Sequence, residues 1–599
     1  MTVPDAAPAA PAAPITHDPR GRLRLADSWA LLKPYWVSED RKAGLALLAV
    51  VVGLNLAVVA VNVWLNNWNR VFYNTLESRD FPGFKTALLQ FCAIAAVFIV
   101  VAVLKQFATM RLEMRWRTWM TARFLDRWLA RQTYYRIEQG GRADNPDQRI
   151  SEDIRSLTSD SLTLSLGLLN SVVTLVSFVA ILWTLSGPLS FALGGHAVTI
   201  PGYMVWVAVL YAVAGSWITH KVGKPLIGLY FRQEQTEAGF RYGLVRLREN
   251  AEGVALYHGE PTEKAQLRAR FEHIRENWHG LVKYMRRLVF VNSGYGQAAI
   301  VFPLIVAAPR YFSGQLTLGG LMQINSAFGQ VQGALSWFVD SYSSLVNWQA
   351  SVNRLLDLEG AMSQAEQRGG QAGIAVADAA DGAVRATGLV LNVPGAAADA
   401  PLTDAVDLAV RPGERWLVSG PSGSGKSVLF RALAGIWPYG AGRIEHPAGK
   451  RLLFLPQKSY VPSGTLADAL SYPNPGSATP RAELQALLRD CRLGALADRL
   501  DDEDNWSMRL SPGEQQRLAF GRAIQQKPDY LFLDEATSAL DEASEAAMYA
   551  LVRERLPNAA VVSIAHRSTV ARWHDRQLRY LPTAPGSAAP FAPAEVAPG

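Results

Sequence analysis

Cysteine is almost missing from this chain. Cys92 and Cys491 are the two in 599 residues, and neither lies in a CxxC spacing. That excludes a disulfide framework and a cysteine-built metal centre. Charge is also scarce: 19 % of residues are Asp, Glu, Lys or Arg, against about 25 % in typical soluble domains. Basic residues still outnumber acidic ones, 59 to 52, for a formal charge of +7. No aromatic–basic RNA-binding signature accompanies them, so a nucleic-acid partner is not expected. With 49 % hydrophobic residues the chain is neither disordered nor collagen-like, and its length implies several domains.

The missing charge is concentrated. Residues 43–69, 86–104, 161–220, 288–309 and 311–339 contain no Asp, Glu, Lys or Arg. A bilayer-spanning helix needs about 20 apolar residues, so these runs read as transmembrane spans. The longest is broken by Gly187-Pro188, Gly194-Gly195 and Pro201-Gly202 and divides into two helices joined by an uncharged loop. Six spans result, near 43–65, 87–105, 162–184, 203–220, 288–309 and 316–339. A buried helix of a soluble protein explains one such run but not five in succession.

Orientation follows from Lys and Arg. Ten arginines lie between Arg111 and Arg155, and thirteen Lys or Arg between Lys221 and Arg287. The 184–202 loop has none. Both basic loops, and with them both termini, are expected on the cytoplasmic side of a bacterial inner membrane. Stretches Met110–Gln139 and Gln233–Glu252 keep three- and four-residue apolar spacing and should extend the membrane helices into the cytosol. The first 19 residues lack any basic residue, so no cleavable signal peptide is expected. Composition divides the chain into a disordered tail at 1–24, a membrane domain at 25–360, an Ala/Gly-rich linker at 361–383, a nucleotide-binding domain at 384–581 and a second disordered tail at 582–599.

The sharpest signals lie in the C-terminal half. Apolar Trp416-Leu417-Val418 leads into Gly420-Pro421-Ser422-Gly423-Ser424-Gly425-Lys426-Ser427, followed by a helical pattern. This is a P-loop in its strand–loop–helix setting. Its glycines let backbone N–H groups approach phosphates, and the helix N-terminus favours their charge. Lys426 is expected to reach the β- and γ-phosphates and Ser427 to ligate Mg²⁺. Downstream, Tyr530-Leu531-Phe532-Leu533 reads as a buried strand ending in Asp534 and Glu535. Asp534 suits Mg²⁺ binding, and Glu535 suits orienting or deprotonating the attacking water. ATP and Mg²⁺ are the cofactors these residues call for.

Between these motifs stands Leu510-Ser511-Pro512-Gly513-Glu514-Gln515-Gln516-Arg517, which resembles the LSGGQ signature of the ATP-binding cassette (ABC) superfamily. Pro512 replaces its first glycine and Glu514 its glutamine. Gln457 is similar to the Q-loop glutamine, Ser538-Ala539-Leu540-Asp541 to the D-loop, and His566 to the switch histidine. The fold implied is a membrane α-helical domain of six transmembrane helices, of the exporter type, plus an α/β P-loop nucleotide-binding domain. The resemblance also implies head-to-tail pairing of two such domains, Ser511 and Gly513 of one chain meeting the P-loop of the other. His566 would then contact the γ-phosphate, and Gln457 would connect Mg²⁺ and the attacking water to the membrane part. With one nucleotide-binding domain beside one six-span bundle, a homodimer is the simplest assembly. The superfamily often stacks adenine on an aromatic residue ahead of the P-loop. Leu391-Asn392-Val393-Pro394 offers none, and Val393 is the residue placed to pack on the ring.

Two membrane-half elements narrow the resemblance. Asn145-Pro146-Asp147-Gln148-Arg149-Ile150, and Arg248 to Glu260 around Glu252, look like loop elements of one subgroup. It joins the D-subfamily transporters of peroxisomes and lysosomes to bacterial fused permease–ATPase proteins resembling SbmA and BacA. These elements either dock a nucleotide-binding domain or form structural salt bridges through Arg149 and Glu252. Asn55, Asn62, Asn66, Asn67 and Asn69 mark the first span, while Gln323, Ser326, Gln330, Ser341 and Ser344 form close to one stripe along the last. Intramembrane polar groups line a cavity or bond helix to helix. As a set they favour a hydrophilic or amphipathic solute, such as a peptide or a cobalamin-like molecule, moving inward through the lipid bilayer. An acyl-CoA or lipid exporter, and an ATP-gated channel or sensor, share every motif.

Overall fold

A computed structural model describes residues 25–140, 145–193, 196–370, 373–379, 381–393, 401–584, 587 and 589–596. The expected tail at 1–24 lies outside the described residues. The chain divides into two compact units, one of residues 1–126 and 145–358, the other of 127–144 and 359–599.

Residues 25–370 are mostly helical; those at 127–144 and 359–370 belong to the second unit and the rest to the first. A short α1 (Leu25–Trp36) precedes α2 (Arg41–Glu77) and α3 (Phe81–Leu129). Arg131 and Gln132 adopt positive φ and break the helical path before α4 (Thr133–Gly140). The one-turn α5 (Pro146–Gln148) leads through a π-turn at Arg149–Asp153 into α6 (Ile154–Ser186). Strands β1 (Pro188–Leu193) and β2 (His196–Pro201) form an antiparallel hairpin. Then come α7 (Tyr203–Glu249), α8 (Ala251–Leu256), α9 (Glu260–Phe312), α10 (Leu318–Asp340) and α11 (Tyr342–Gly370). Five helices, within 41–77, 81–139, 146–186, 203–249 and 260–312, are long and apolar enough to cross a membrane. The sixth expected span, 316–339, is helix α10, whose 23 residues extend about 34 Å at 1.5 Å per residue. The stretch expected as a plain loop at 184–202 is instead the β1–β2 hairpin. A two-stranded ribbon satisfies its own backbone groups, which the loop reading left without partners.

Helix α10 is central, packing against α2, α6, α7 and α9. Ile324, Ala327, Phe328 and Val331 on it are buried with Phe178, Leu182, Met204, Ala208 and Ala307. Its N-terminus is capped from α2: Leu318 N donates to Glu77 Oε2 at 2.9 Å and Gly319 N to Asn74 Oδ1 at 2.9 Å. Close approach explains Gly319, because a Cβ there would lie 2.0 Å from the Arg70 carbonyl oxygen. The predicted polar residues divide. Asn55 Nδ2 donates to the Leu166 carbonyl at 3.1 Å, Asn66 Nδ2 to that of Gln323 at 3.1 Å, and Gln323 Nε2 to Asn67 Oδ1 at 2.8 Å. These bind helix to helix. Ser326, Gln330, Ser341 and Ser344 stay half-buried.

Of the two candidate salt-bridge residues, Arg149 makes one and Glu252 is exposed. Arg149 Nη1 lies 3.2 Å from the buried Asp153, and Arg354 Nε from α11 donates to the same carboxylate at 2.8 Å.

The second unit is an α/β domain. Four strands, β3 (Ile374–Ala379), β4 (Val384–Leu391), β5 (Val406–Val410) and β7 (Gly440–Pro447), pair in the order β3-β7-β4-β5. A six-stranded sheet carries β6 (Arg415–Ser419), β8 (Leu452–Leu455), β11 (Tyr530–Asp534), β12 (Ala560–Ile564), β13 (Arg576–Pro582) and β14 (Phe591–Val596) in the order β14-β13-β6-β12-β11-β8. All but β14 run parallel. Their burial on both faces matches the near-continuous apolar runs Trp416-Leu417-Val418 and Tyr530-Leu531-Phe532-Leu533. Helix α12 (Lys426–Leu433) follows β6. The two-residue strands β9 (Gly464–Thr465) and β10 (Glu503–Asp504) join helices α13 (Leu466–Ser471), α14 (Arg481–Asp490), α15 (Trp506–Arg509) and α16 (Pro512–Gln526), and α17 (Glu542–Arg555) precedes β12.

Two boundaries differ from the sequence reading. The stretch expected as a linker, 361–383, holds the end of α11 and strand β3, which pairs with β7. The stretch expected as a tail, 582–599, holds β14, paired antiparallel with β13. In both cases backbone pairing supplies the order that an Ala/Gly/Pro-rich sequence does not advertise. One test concerns Asp153. Asp153→Ala leaves two arginines without their shared carboxylate and should cost about 2–3 kcal/mol, moderated because Arg354 is 39 % exposed. A lowered thermal midpoint of the detergent-solubilised chain, with Asp153→Asn intermediate, is the expected result.

Candidate nucleotide site

The site lies at the carboxyl ends of the parallel strands, where ligands of open α/β sheets bind. Strand β6 ends at Ser419, and the loop from Gly420 to Gly425 turns the chain into α12. Two of its glycines are sterically required. At Gly420, with φ 150°, a Cβ would stand 2.7 Å from Tyr580 Cβ; at Gly425, with φ 88°, it would stand 2.9 Å from Leu402. Ser424 is buried and donates to the Pro421 carbonyl at 2.8 Å, while Ser422 and Gly423 are exposed at the loop's tip. Lys426 Nζ donates to the carbonyls of Gly420 at 3.0 Å and Pro421 at 2.6 Å. Burial lowers its ammonium pKa, and nearby Glu535 and Asp534 oppose that shift.

Strand β11 carries the acidic pair to the same place. Ser427 Oγ donates to Asp534 Oδ1 at 3.1 Å, joining the loop's last residue to the strand's end. Burial raises the Asp534 pKa, with the Ser427 hydrogen bond opposing it. Glu535 sits at φ 47°, a left-handed conformation that non-glycine residues adopt at a cost of about 1–2 kcal/mol. Its amide, bonded to the Ile564 carbonyl at 3.0 Å, holds it there. Gln457 Nε2 donates to Glu535 Oε2 at 2.8 Å, and His566 Nε2 lies 3.0 Å from Glu535 Oε1. Residues from two separate loops thus meet on one carboxylate.

Ser511 and Gly513 occupy the first turn of α16. Ser511 is the N-cap in a capping box: Glu514 N donates to Ser511 Oγ at 3.4 Å, and Ser511 N donates to Glu514 Oε2 at 2.9 Å. The Ser511 hydrogen bonds lower the Glu514 pKa. Both departures from the signature are thereby explained. Glu514 completes the cap, and Pro512 stands at the first helical position, where its missing N–H costs nothing. Gly513 faces the Ala539 carbonyl, 3.1 Å from where a Cβ would be. Asp541 caps α17, accepting from Ser544 N at 2.8 Å.

One residue carried no expectation. Gln516 is buried, donates to Ser538 Oγ at 3.1 Å and accepts from Ala539 N at 2.9 Å. It fastens the signature helix to the 538–541 turn. Its signal was the second of two adjacent glutamines, which a helix presents on different faces. Val393, the residue expected to meet adenine, is 48 % exposed. Among the described residues no cluster of three or more His, Cys, Asp or Glu is placed to hold a metal by itself.

Comparison with known proteins agrees with this architecture. Residues 31–312 match the family model described as ABC transporter transmembrane region 2, and 403–538 match that of the ABC transporter. The chain is 35 % identical over 555 residues to the inner membrane ABC transporter ATP-binding protein YddA of Escherichia coli K12, covering 92 % of this chain and 96 % of that one. It is 33 % identical to the chloroplastic ABC transporter D family member 2 of Arabidopsis thaliana, across 92 % and 85 % of the two chains. It is 26 % identical to the human lysosomal cobalamin transporter ABCD4, across 92 % and 93 %. In fold it is similar to a bacterial Atm1-family ABC exporter solved with ATP bound, with a TM-score of 0.65 at 20 % identity over 90 % of this chain and 93 % of the other.

The capping box yields a local test. Ser511→Ala should destabilise the start of α16 by about 1 kcal/mol, seen as roughly fivefold faster amide exchange at 513–515. Glu514→Gln keeps an acceptor for the Ser511 amide and should change exchange less than twofold.

Proposed function

The chain belongs to the ABC transporters, and we propose that it works as a homodimeric half-transporter that imports a hydrophilic or amphipathic solute across a bacterial inner membrane. It is a multi-pass membrane protein of the exporter-type ABC fold that couples ATP hydrolysis to transport. The convergence of Gln457 and His566 on the Glu535 carboxylate supports the assignment of roles within the motor.

In this reading, Lys426 and the amides of the Gly420–Ser427 loop bind the β- and γ-phosphates. Ser427 Oγ and Asp534 are the hydroxyl–carboxylate pair suited to magnesium, which prefers one or two protein oxygens plus phosphates, and Gln457, hydrogen-bonded to the adjoining Glu535, is the further candidate ligand. When bound, the ion neutralises charge on the transferred phosphoryl group. Glu535 orients the attacking water and accepts its proton, and His566 stabilises the γ-phosphate. A positioned general base contributes about 10²–10⁴-fold. Ser511 and Gly513, at the start of the 15-residue α16, close the nucleotide site of the partner copy. Val393 lies under the adenine.

Half-buried Ser326, Gln330, Ser341 and Ser344 support a wet passage beside α10 and α11. The human relative named a cobalamin transporter places a large polar solute within the range of this architecture. The two basic loops put both termini on the cytoplasmic side.

Vesicles with the ATPase domain inside and ATP trapped within should accumulate labelled cobalamin or a proline-rich peptide above the bath concentration. Lys426→Ala should abolish this. Movement of acyl-CoA alone, in the opposite orientation, contradicts the proposal in favour of lipid-type export. Stimulated ATPase without accumulation of any solute makes the protein a gated channel or sensor. For the base, Val393→Tyr should tighten ATP binding two- to tenfold, the value of about 0.5–1.5 kcal/mol for an aromatic stack. Isothermal titration with ATP and GTP measures it.

A further inference from the structure

Behind Glu535 and His566 lies a second carboxylate, which the phosphoryl-transfer chemistry does not use. Glu545, on α17, is 2 % exposed. An isolated carboxylate at that depth would be costly, and this one is answered on each oxygen. Thr537 Oγ1 donates to Oε2 at 2.9 Å, Thr569 Oγ1 donates to Oε1 at 2.6 Å, and Arg567 Nη1 lies 3.7 Å from Oε2. Thr537 belongs to the turn after Glu535, while Arg567 and Thr569 are the first and third residues after His566. The carboxylate therefore joins the two loops that carry the water-facing pair.

Arg567 makes the second half of the connection. Its guanidinium donates to the Leu540 carbonyl at 2.6 Å and the Ser538 carbonyl at 3.3 Å. It is thus anchored on the 538–541 turn while being the covalent neighbour of His566. A cavity of about 100 Å³, with Glu535, Glu545, His566 and Arg567 among its walls, lies between these groups. The His566 loop has room to move there unless something fixes it. The Glu535–His566 separation of 3.0 Å is held by elements on two different strands, β11 and β12.

We propose that Glu545 and Arg567 are positioning residues: together they set the register of the His566 loop against the turn that carries Glu535. This rests on the reading of Glu535 and His566 as the hydrolytic pair. Misplacing a reacting group by about 1 Å costs on the order of 100-fold in rate while leaving ground-state binding nearly untouched. Loss of the clamp should therefore lower turnover and spare ATP affinity. Lysine at 567 keeps one donor and the charge, but lacks the fork that spans both carbonyls.

The test is steady-state ATPase of the full chain in proteoliposomes, with ATP affinity and thermal midpoint measured in parallel. Arg567→Ala, at a position whose side chain is 41 % exposed and expected to fold, should lower kcat at least tenfold with KM for ATP within threefold. Arg567→Lys should recover at least a third of wild-type turnover. Glu545→Gln should match Arg567→Ala, and the double variant should be no more than threefold slower than the slower single one. A kcat for Arg567→Ala within twofold of wild type overturns the proposal. So does a fall in kcat matched by an equal rise in KM, or a multiplicative double variant. Glu535→Gln and His566→Ala serve as controls. If they retain turnover, the reading of the hydrolytic pair fails and takes the clamp with it; if they lose turnover while the clamp variants keep it, the clamp alone fails.

Discussion

The nucleotide-binding unit depends on one carboxylate held in an unfavourable backbone conformation. Glu535 follows directly on a parallel strand buried from Tyr530 to Leu533, so its Cα is fixed by β8 and β12 on either side of β11. The left-handed φ turns its side chain out of the sheet line toward Gln457 and His566. The strain of about 1–2 kcal/mol is affordable only because the surrounding sheet is tightly packed. Phe454 and Phe532, stacked with ring centroids 4.3 Å apart, and Phe430 edge-on at 5.5 Å show how dense that packing is. Each loop that meets Glu535 is itself anchored on a different strand end. Small shifts of those strands are therefore read at a single point.

The membrane unit obeys a different constraint. Without water in the hydrocarbon, polar side chains must find partners on neighbouring helices. Asn55, Asn66 and Gln323 do so, and Glu77 and Asn74 cap the amide end of α10. Close packing contributes too. Gly215 lies where a Cβ would be 2.3 Å from the Tyr295 ring, and Tyr211 stacks on that ring while donating to the Tyr295 carbonyl at 2.6 Å. Arg310 donates to the Leu185 carbonyl at 3.2 Å and also to that of Ser186, so this cation fastens the turn at Gly187.

Much of this was legible in the sequence because the signals were long or ordered. Charge-free runs located the six helices, since a bilayer demands length, although α3, α7 and α9 run more than twenty residues beyond the expected spans. The P-loop and Asp534-Glu535 stood out because phosphate chemistry calls for particular residue types in a set order, and His566 stood out by its resemblance to the superfamily's switch histidine. What escaped was order carried by the backbone. The β1–β2 hairpin, β3 and β14 all contain Ala, the hairpin strands and β14 also Pro, and they are ordered by strand pairing. Gln516 and Glu545 escaped for another reason: the partners named above lie 8 to 24 residues away, and no local pattern announces a buried amide or carboxylate that serves another turn. Glu514 was visible as a departure from the signature, yet its role as half of a capping box required the helix start to be placed.

The central claim is that the Glu535 carboxylate is the point where ATP binding becomes hydrolysis. The direct measurement is nucleotide affinity and single-turnover phosphate release, made side by side on the wild-type chain and Glu535→Gln. The account predicts ATP affinity unchanged within threefold and phosphate release slowed at least 100-fold, because the amide keeps the shape but cannot take a proton. Phosphate release within tenfold of wild type would contradict it and move the general base to another group.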